Sequence, residues 1–324
     1  MIIKGSLWRV NWGVPLNESE AGLIERLRDL FNTSFENGVE VGIGDDGAVI
    51  AVNKNKLVAT VDMAVEEIHF KREWSTPFQI GAKLTTANLA DVFAMGATPK
   101  YLLVAAAITE VNNSQTVTDL ANGIRSVADK FKVSVIGGDL SKAEKMSLSI
   151  TALGELSGKA ITRDGAKVGD LVYLSALPGL SAAGLAILTR GLNRPKYVVE
   201  AHLNPKLAAP NSLMKVATAM CDISDGLVSD AGNIAKASGV NINLSKELLQ
   251  KSDDYKDLAE LATELGEDVF DWILTGGEDH FFLATVSADK ASDDLGLLVG
   301  KVETGSGVVN LDGNAITKAG YQHF

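Results

Sequence analysis

The sequence predicts two domains, an N-terminal one with a mixed α/β sheet and helices and a C-terminal one of α+β type. Three observations carry this expectation. At 324 residues the chain exceeds the length that one hydrophobic core usually serves. Short β-branched runs alternate irregularly with amphipathic helical patterns and include hairpins, which argues against strict βαβ repetition. A stretch rich in Gly, Lys and Asp at 157–170 interrupts both patterns and divides the chain into 1–156 and 157–324.

Asn17-Glu18-Ser19-Glu20 has the pattern of a capping box, and Leu23, Ile24, Leu27, Leu30 and Phe31 follow at helical spacing. A helix is expected over about 18–31. The β-branched runs Ala48–Val52 and Lys56–Asp62, separated by Asn53-Lys54-Asn55, read as a hairpin. Thr76-Pro77 opens a helix that runs to about Met95 and stops at Gly96. A strand at Tyr101–Thr109, a helix at Ser114–Lys130 and strands at Val133–Ile136 and Ser147–Leu156 complete the first half. The second half opens with the strand Leu171–Ser175. Helices near 181–190, 206–218 and 226–238 and strands near 240–244, 280–286 and 306–310 follow.

Thirty basic against forty-one acidic residues give a formal net charge of -11. No Lys/Arg cluster offsets it, which argues against a nucleic-acid partner. The lone Cys221 has no partner for an internal disulfide, and no run approaches the roughly 18 apolar residues of a membrane span. Met1–Val10 lacks a long apolar core, so the cytoplasm is the expected location.

Gly42-Ile43-Gly44-Asp45-Asp46-Gly47 matches the dinucleotide-binding fingerprint in form. That role needs a helix whose free N–H groups meet a pyrophosphate, whereas here a β-patterned run follows and two carboxylates would face the phosphates. Mg²⁺ reverses the argument, because it takes a few carboxylates together with water and phosphate oxygens. The arrangement recurs along the chain. Asp62 lies at the end of an apolar strand, Asn88 and Asp91 share a helical face, and Asp139 follows Gly137-Gly138. Asp222-Ile-Ser-Asp225-Gly226 and Gly276-Gly277-Glu278-Asp279 add two more acid–glycine turns. Taken singly, each is as readily a simple turn or surface pair. The P-loop, the nucleophile elbow and the HExxH zinc motif are all absent. His202, His280 and His323 carry no motif and read as packing or surface residues.

Seven segments, in order, resemble the thiamine-monophosphate kinase family within the aminoimidazole ribonucleotide synthetase-like superfamily. They are Gly42–Ala48, Asp62–Phe70, Asn88–Pro99, Gly137–Asp139, Thr162–Ala166, Asp222–Leu227 and Gly276–Asp279. The resemblance spans about residue 18 to the C-terminus. It implies an ATP-dependent kinase that converts thiamine monophosphate to thiamine diphosphate, working as a homodimer through its N-terminal sheet. It further implies Asp46, Thr60, Val61 (by its carbonyl), Asp62, Asp91, Asp139, Asp222 and Asp225 as Mg²⁺ ligands. Gly138, Asp139, Arg163 and Ser224 are implied as ATP contacts, and His69, Glu278 and Tyr321 or Phe324 as substrate contacts. No general base is expected, since the attacking phosphate monoester, with a second pKa of about 6, is largely deprotonated at neutral pH. Glu67 departs from the family pattern, standing where glycine is usual. Two other readings stay open at this point: another ATP-using member of the superfamily, or a catalytically silent nucleotide-binding protein.

Overall fold

A computed structural model of the chain describes residues 39–41, 45–46, 48–52, 55–109, 114–316 and 320. The first half contains strands β1 (Val39–Val41), β2 (Ala48–Val52) and β3 (Asn55–Val65), helix α1 (Pro77–Ala94), β4 (Thr98–Ile108), α2 (Ser114–Lys130), β5 (Ser134–Lys142) and β6 (Ser147–Leu156). The strands form one six-stranded sheet in the order β1-β2-β3-β6-β4-β5. Its neighbours are antiparallel except β4 and β5, which run parallel with α2 as their crossover. The helix expected over 18–31 lies outside the described residues.

Both helices cover one face of this sheet. Thr76 and Gln79 close a capping box and Pro77 takes the first helical turn, so α1 begins where its backbone donors are already satisfied. Val58 and Ala64 of β3, Leu148, Ile150 and Ala152 of β6 and Leu102 of β4 alternate inward beneath α1. The two helices lie unusually close because glycines meet at their crossing. A Cβ on Gly81 would stand 2.3 Å from the Leu120 carbonyl oxygen, and one on Gly123 1.9 Å from that of Phe78. The opposite face of the sheet is open, with Val61, Met63, Tyr101 and Leu103 exposed.

The second half contains β7 (Leu171–Leu174), α3 (Leu180–Thr189), α4 (Lys196–Leu203), β8 (Ala217–Asp222), α5 (Leu227–Ser238), β9 (Val240–Leu244), α6 (Asp253–Leu265), α7 (Val269–Thr275), β10 (Phe282–Val286), β11 (Leu297–Thr304), β12 (Val309–Leu311) and β13 (Asn314–Ala315). Its seven-stranded sheet has the order β13-β12-β9-β11-β7-β10-β8. Val172, Leu174, Cys221 and Leu283 face a core shared with α3, α5 and α7. Tyr173, Met220, Phe282 and Ala284 face the other way, into the core that contains α1. Burial on both faces explains why Phe282–Val286 reads as a continuous apolar run rather than an alternating one.

Several expectations shift. The helix expected near 206–218 is not formed. Residues 206–210 lie between Pro205 and Pro210 without regular structure, only Leu213–Val216 makes a turn, and the helix stands earlier, behind Pro195, as α4. β5 continues through Gly137-Gly138 to Lys142 instead of ending at Ile136. Trp272–Thr275, which precedes the Gly-Gly-Glu-Asp turn, is the last turn of α7. The strand β11 and the helices α6 and α7 were not expected.

Candidate active site

The two sheets meet where α1, β3 and the C-terminal end of β8 converge, and three carboxylates come together there. One oxygen from each of Asp46, Asp91 and Asp222 lies within 4.8 Å of the others. Asp91 projects from α1, and its carboxylate accepts from the Thr60 hydroxyl on β3 at 2.7 Å. One turn earlier, fully buried Asn88 accepts from the Asp62 N–H at 3.2 Å and donates to the Leu84 carbonyl at 2.9 Å, pinning β3 to α1. Asp62 lies within β3 rather than at its end and shares the α1-facing side with Val58 and Ala64. Asp46 pairs with the Arg163 guanidinium, and the Arg163 N–H donates to Asp45 at 3.0 Å.

Burial is the leading cause of every raised carboxyl here. Asp46 is pushed up to about 7 by burial and by the negative charges of Asp222 and Asp45, which outweigh Arg163. Burial and the charge of Asp222 push Asp62 up to about 6. Asp91 rises well above the carboxylate range through burial and the charges of Asp62, Asp222 and Asp46. The second oxygen of Asp46 is buried with no hydrogen-bond partner among the described residues. An unsatisfied carboxylate oxygen beside two other acids is costly, and an oxygen-only donor set of this kind suits a hard cation such as Mg²⁺. The residues therefore fit that ion.

A second charged group lies farther along α1. The Lys83 ammonium donates to Glu278 Oε2 at 2.8 Å, and His202 Nδ1 lies 3.6 Å from the same oxygen. Burial, with help from Lys83, lowers His202 to about 4, so the ring is neutral. Burial alone would raise Glu278, but the charge and hydrogen bond of Lys83 lead the effects that more than reverse this and hold it below the usual range. Glu278 adopts φ 64° and donates its N–H to the Ser224 carbonyl at 2.8 Å. Gly277 is required beside it, since a Cβ would stand 2.2 Å from that same oxygen. Asp279 accepts from the Gly179 and Ser181 N–H groups at 2.8 and 2.9 Å and so anchors the start of α3.

The other expected residues are distributed as follows. Ser224 and Asp225 lie in the turn between β8 and α5, where the N–H groups of Ser224, Asp225 and Gly226 all donate to Asp230. His69 follows β3, and its Nδ1 accepts from the Val65 N–H at 3.0 Å, which leaves the proton of the neutral ring on Nε2. The side chain of Val61 points to the open face. Gly138 and Asp139 lie on the exposed edge strand β5, apart from the three-acid cluster. Asp139 aligns across the sheet with Ala105, Ser149 and Met63, a row four strands wide that belongs to the open face. A Cβ at Gly138 would meet the Val104 carbonyl at 1.9 Å, so packing already demands glycine there. Tyr321 and Phe324 lie outside the described residues.

Sequence reasoning missed Lys83, Asp230, His202 and His280. His280 is buried and pairs with Asp222 at 3.0 Å; burial lowers its affinity for a proton, but the hydrogen bond and charge of Asp222 raise it further. Its position one residue after the Gly-Gly-Glu-Asp turn was the available signal.

Comparison with known proteins accords with this geometry. Residues 44–156 match the family model for the N-terminal domain of AIR synthase related proteins, and 167–293 match that for the C-terminal domain. The chain is 34% identical over 314 residues to the thiamine-monophosphate kinase of Aquifex aeolicus, covering 94% of this chain and 98% of that one. The chain belongs to the thiamine-monophosphate kinase family. The Mycobacterium tuberculosis member is likewise 34% identical, covering 88% of this chain and 86% of its own. Among solved family structures, AaThiL complexed with AMPPCP and TMP superposes with a TM-score of 0.85 at 32% identity, covering 94% of this chain and 97% of that one. The Stenotrophomonas maltophilia enzyme superposes with a TM-score of 0.74 at 30% identity, covering 91% and 96%.

Proposed function

We propose that this chain transfers the γ-phosphoryl group of ATP to the phosphate of thiamine monophosphate, giving ADP and thiamine diphosphate. The observation that carries the reading is the convergence of Asp46, Asp91 and Asp222 with one buried carboxylate oxygen left without a partner among the described residues. Family membership supports the choice of acceptor, and AaThiL is described with AMPPCP and TMP bound.

In this reading Asp46, Asp91 and Asp222 hold Mg²⁺, with Asp62, Asp225, Thr60 and the Val61 carbonyl as further oxygen donors. When bound, Mg²⁺ neutralises charge on the attacking, transferred and leaving oxygens, which is the main obstacle when two polyanions react. Arg163 holds Asp46 in place, and with Ser224 it meets ATP. Gly138 and Asp139 act from the edge strand. His69 and Glu278 contact thiamine monophosphate, joined by Tyr321. No side chain need remove a proton, because the attacking phosphate is already largely deprotonated.

The exposed apolar side chains of Val61, Met63, Tyr101 and Leu103 favour a homodimer built on the open face of the first sheet. Among the described residues no helix is long and apolar enough to cross a membrane. The cytoplasm, where ATP is supplied, is the assigned location. The test is to incubate purified protein with ATP, Mg²⁺ and thiamine monophosphate and to measure products by mass. Thiamine diphosphate and ADP in equal amounts are expected. ADP release with a different acceptor would reassign the substrate, and nucleotide binding without turnover would remove the kinase assignment.

A further inference from the structure

We propose that Lys83 is a positioning residue for acceptor recognition. It commits one oxygen of Glu278 to the protein and leaves the other to receive the exocyclic amino group of the acceptor's pyrimidine. The inference rests on the thiamine monophosphate reading above.

The backbone of Glu278 is held on both sides. Its N–H is bound to Ser224, Gly277 lies flush against the same carbonyl, and a Cβ at Gly276 would stand 2.4 Å from the Trp272 carbonyl oxygen. The direction of the carboxylate is therefore a matter of side-chain rotamer. Lys83 sets that rotamer, because the bonds formed by the described residues engage only Oε2. The Lys83 side chain is 13% exposed while that of Glu278 is 36% exposed, so the pair is closed on the lysine side and open on the glutamate side. An ionised carboxylate oxygen at an opening accepts an N–H donor well, and the pyrimidine amino group is the N–H donor of thiamine monophosphate.

Lys83 is also correctly spaced. It and Asp91 are eight residues apart on the one helix α1, about 12 Å along its axis. A single rigid element thus ties the phosphate end of the site to its ring end. Nor is Lys83 needed merely to join the two halves. On the same side of α1, Gln79 donates to Glu200 at 2.9 Å and Thr86 donates to the Pro205 carbonyl at 3.4 Å.

The test uses Lys83→Met, with Lys83→Arg as the conservative partner. It combines a crystal structure of each variant with steady-state kinetics on thiamine monophosphate and on an analogue in which hydrogen replaces the pyrimidine amino group. In Lys83→Met the Glu278 side chain is expected to leave its place. The KM for thiamine monophosphate should rise about 10- to 100-fold while the KM for ATP changes less than about twofold, and discrimination against the analogue should fall by the same factor. Lys83→Arg should retain most of that discrimination. An unmoved Glu278, unchanged discrimination, or a parallel rise in both KM values with a lower melting temperature would overturn the proposal. If the wild-type protein leaves thiamine monophosphate unphosphorylated, the functional reading fails, and the position of Glu278 in the Lys83→Met structure still decides whether Lys83 positions it.

Discussion

Asp46, Asp91 and Asp222 face one another within 4.8 Å with Arg163 paired to one of them, whereas Glu278, farther along α1, meets the Lys83 ammonium at 2.8 Å. In the first group burial and the neighbouring negative charges raise the pKa values of Asp46 and Asp91; in the second the protein's own cation lowers that of Glu278. The first region leaves a buried carboxylate oxygen without a partner among the described residues, which suits the metal site proposed above. In the second, one oxygen of Glu278 is already committed to the protein's own cation before any ligand arrives. Neighbouring acids on one helix-bounded junction can thus have opposite roles, and the partner of each carboxylate separates them better than its residue type.

The largest effects should break this contrast if it is wrong. Asp91→Asn keeps the acceptor for Thr60 but removes a charge, so kinase activity should fall about 10²- to 10³-fold. Its melting temperature in Mg²⁺-free buffer should hold or rise, because repulsion is relieved. Glu278→Gln should do the reverse to stability, lowering the melting temperature by stranding the mostly buried Lys83. Thermal melts of both variants beside activity assays check this pair.

A smaller effect follows from pH. A carboxyl raised in the folded state adds stability that is fully present below its unfolded value of 3.8 and is lost as pH rises through the folded values of about 6 for Asp62 and about 7 for Asp46. Mg²⁺ should offset that loss where the acids are ionised. The Mg²⁺-induced rise in melting temperature should therefore be greater near pH 8 than near pH 5.5, as a thermal-shift series would show.

The smallest effect sharpens a second contrast, between two glutamates in the left-handed region. Glu278 at φ 64° is tied to Lys83 and Ser224, while among the described residues the exposed Glu67 at φ 72° has only its N–H bound, to the Phe70 carbonyl at 2.8 Å. Relieving that strain, Glu67→Gly should stabilise by about 1 kcal/mol, and Glu278→Gly should not. Denaturant melts measure both.

Much of this was legible in the sequence. Ala48–Val52, Ser114–Lys130, Ser147–Leu156 and 240–244 form where their patterns place them, because each pairs a clear period with a turn signal at its end. α4 and β11 were hidden for local reasons. The first opens behind Pro195 amid mixed residues. The second contains Gly300, which is needed because a Cβ would stand 2.3 Å from the Asn243 carbonyl oxygen. Acid–glycine turns exposed Asp46 and Asp222, and helical spacing exposed Asp91. Lys83 and His202 beside Glu278, and His280 beside Asp222, were silent, since a single Lys or His has no sequence pattern until the fold gives it a partner.

The most direct test of the account is Mn²⁺ binding, followed by electron paramagnetic resonance with a non-hydrolysable ATP analogue present, in the wild-type protein and in Asp91→Asn, Asp222→Asn and Glu278→Gln. The account predicts bound Mn²⁺ in the wild type and in Glu278→Gln, and affinity about 10- to 100-fold weaker in the two aspartate variants. Mn²⁺ bound as tightly to Asp91→Asn and Asp222→Asn as to the wild type would contradict it.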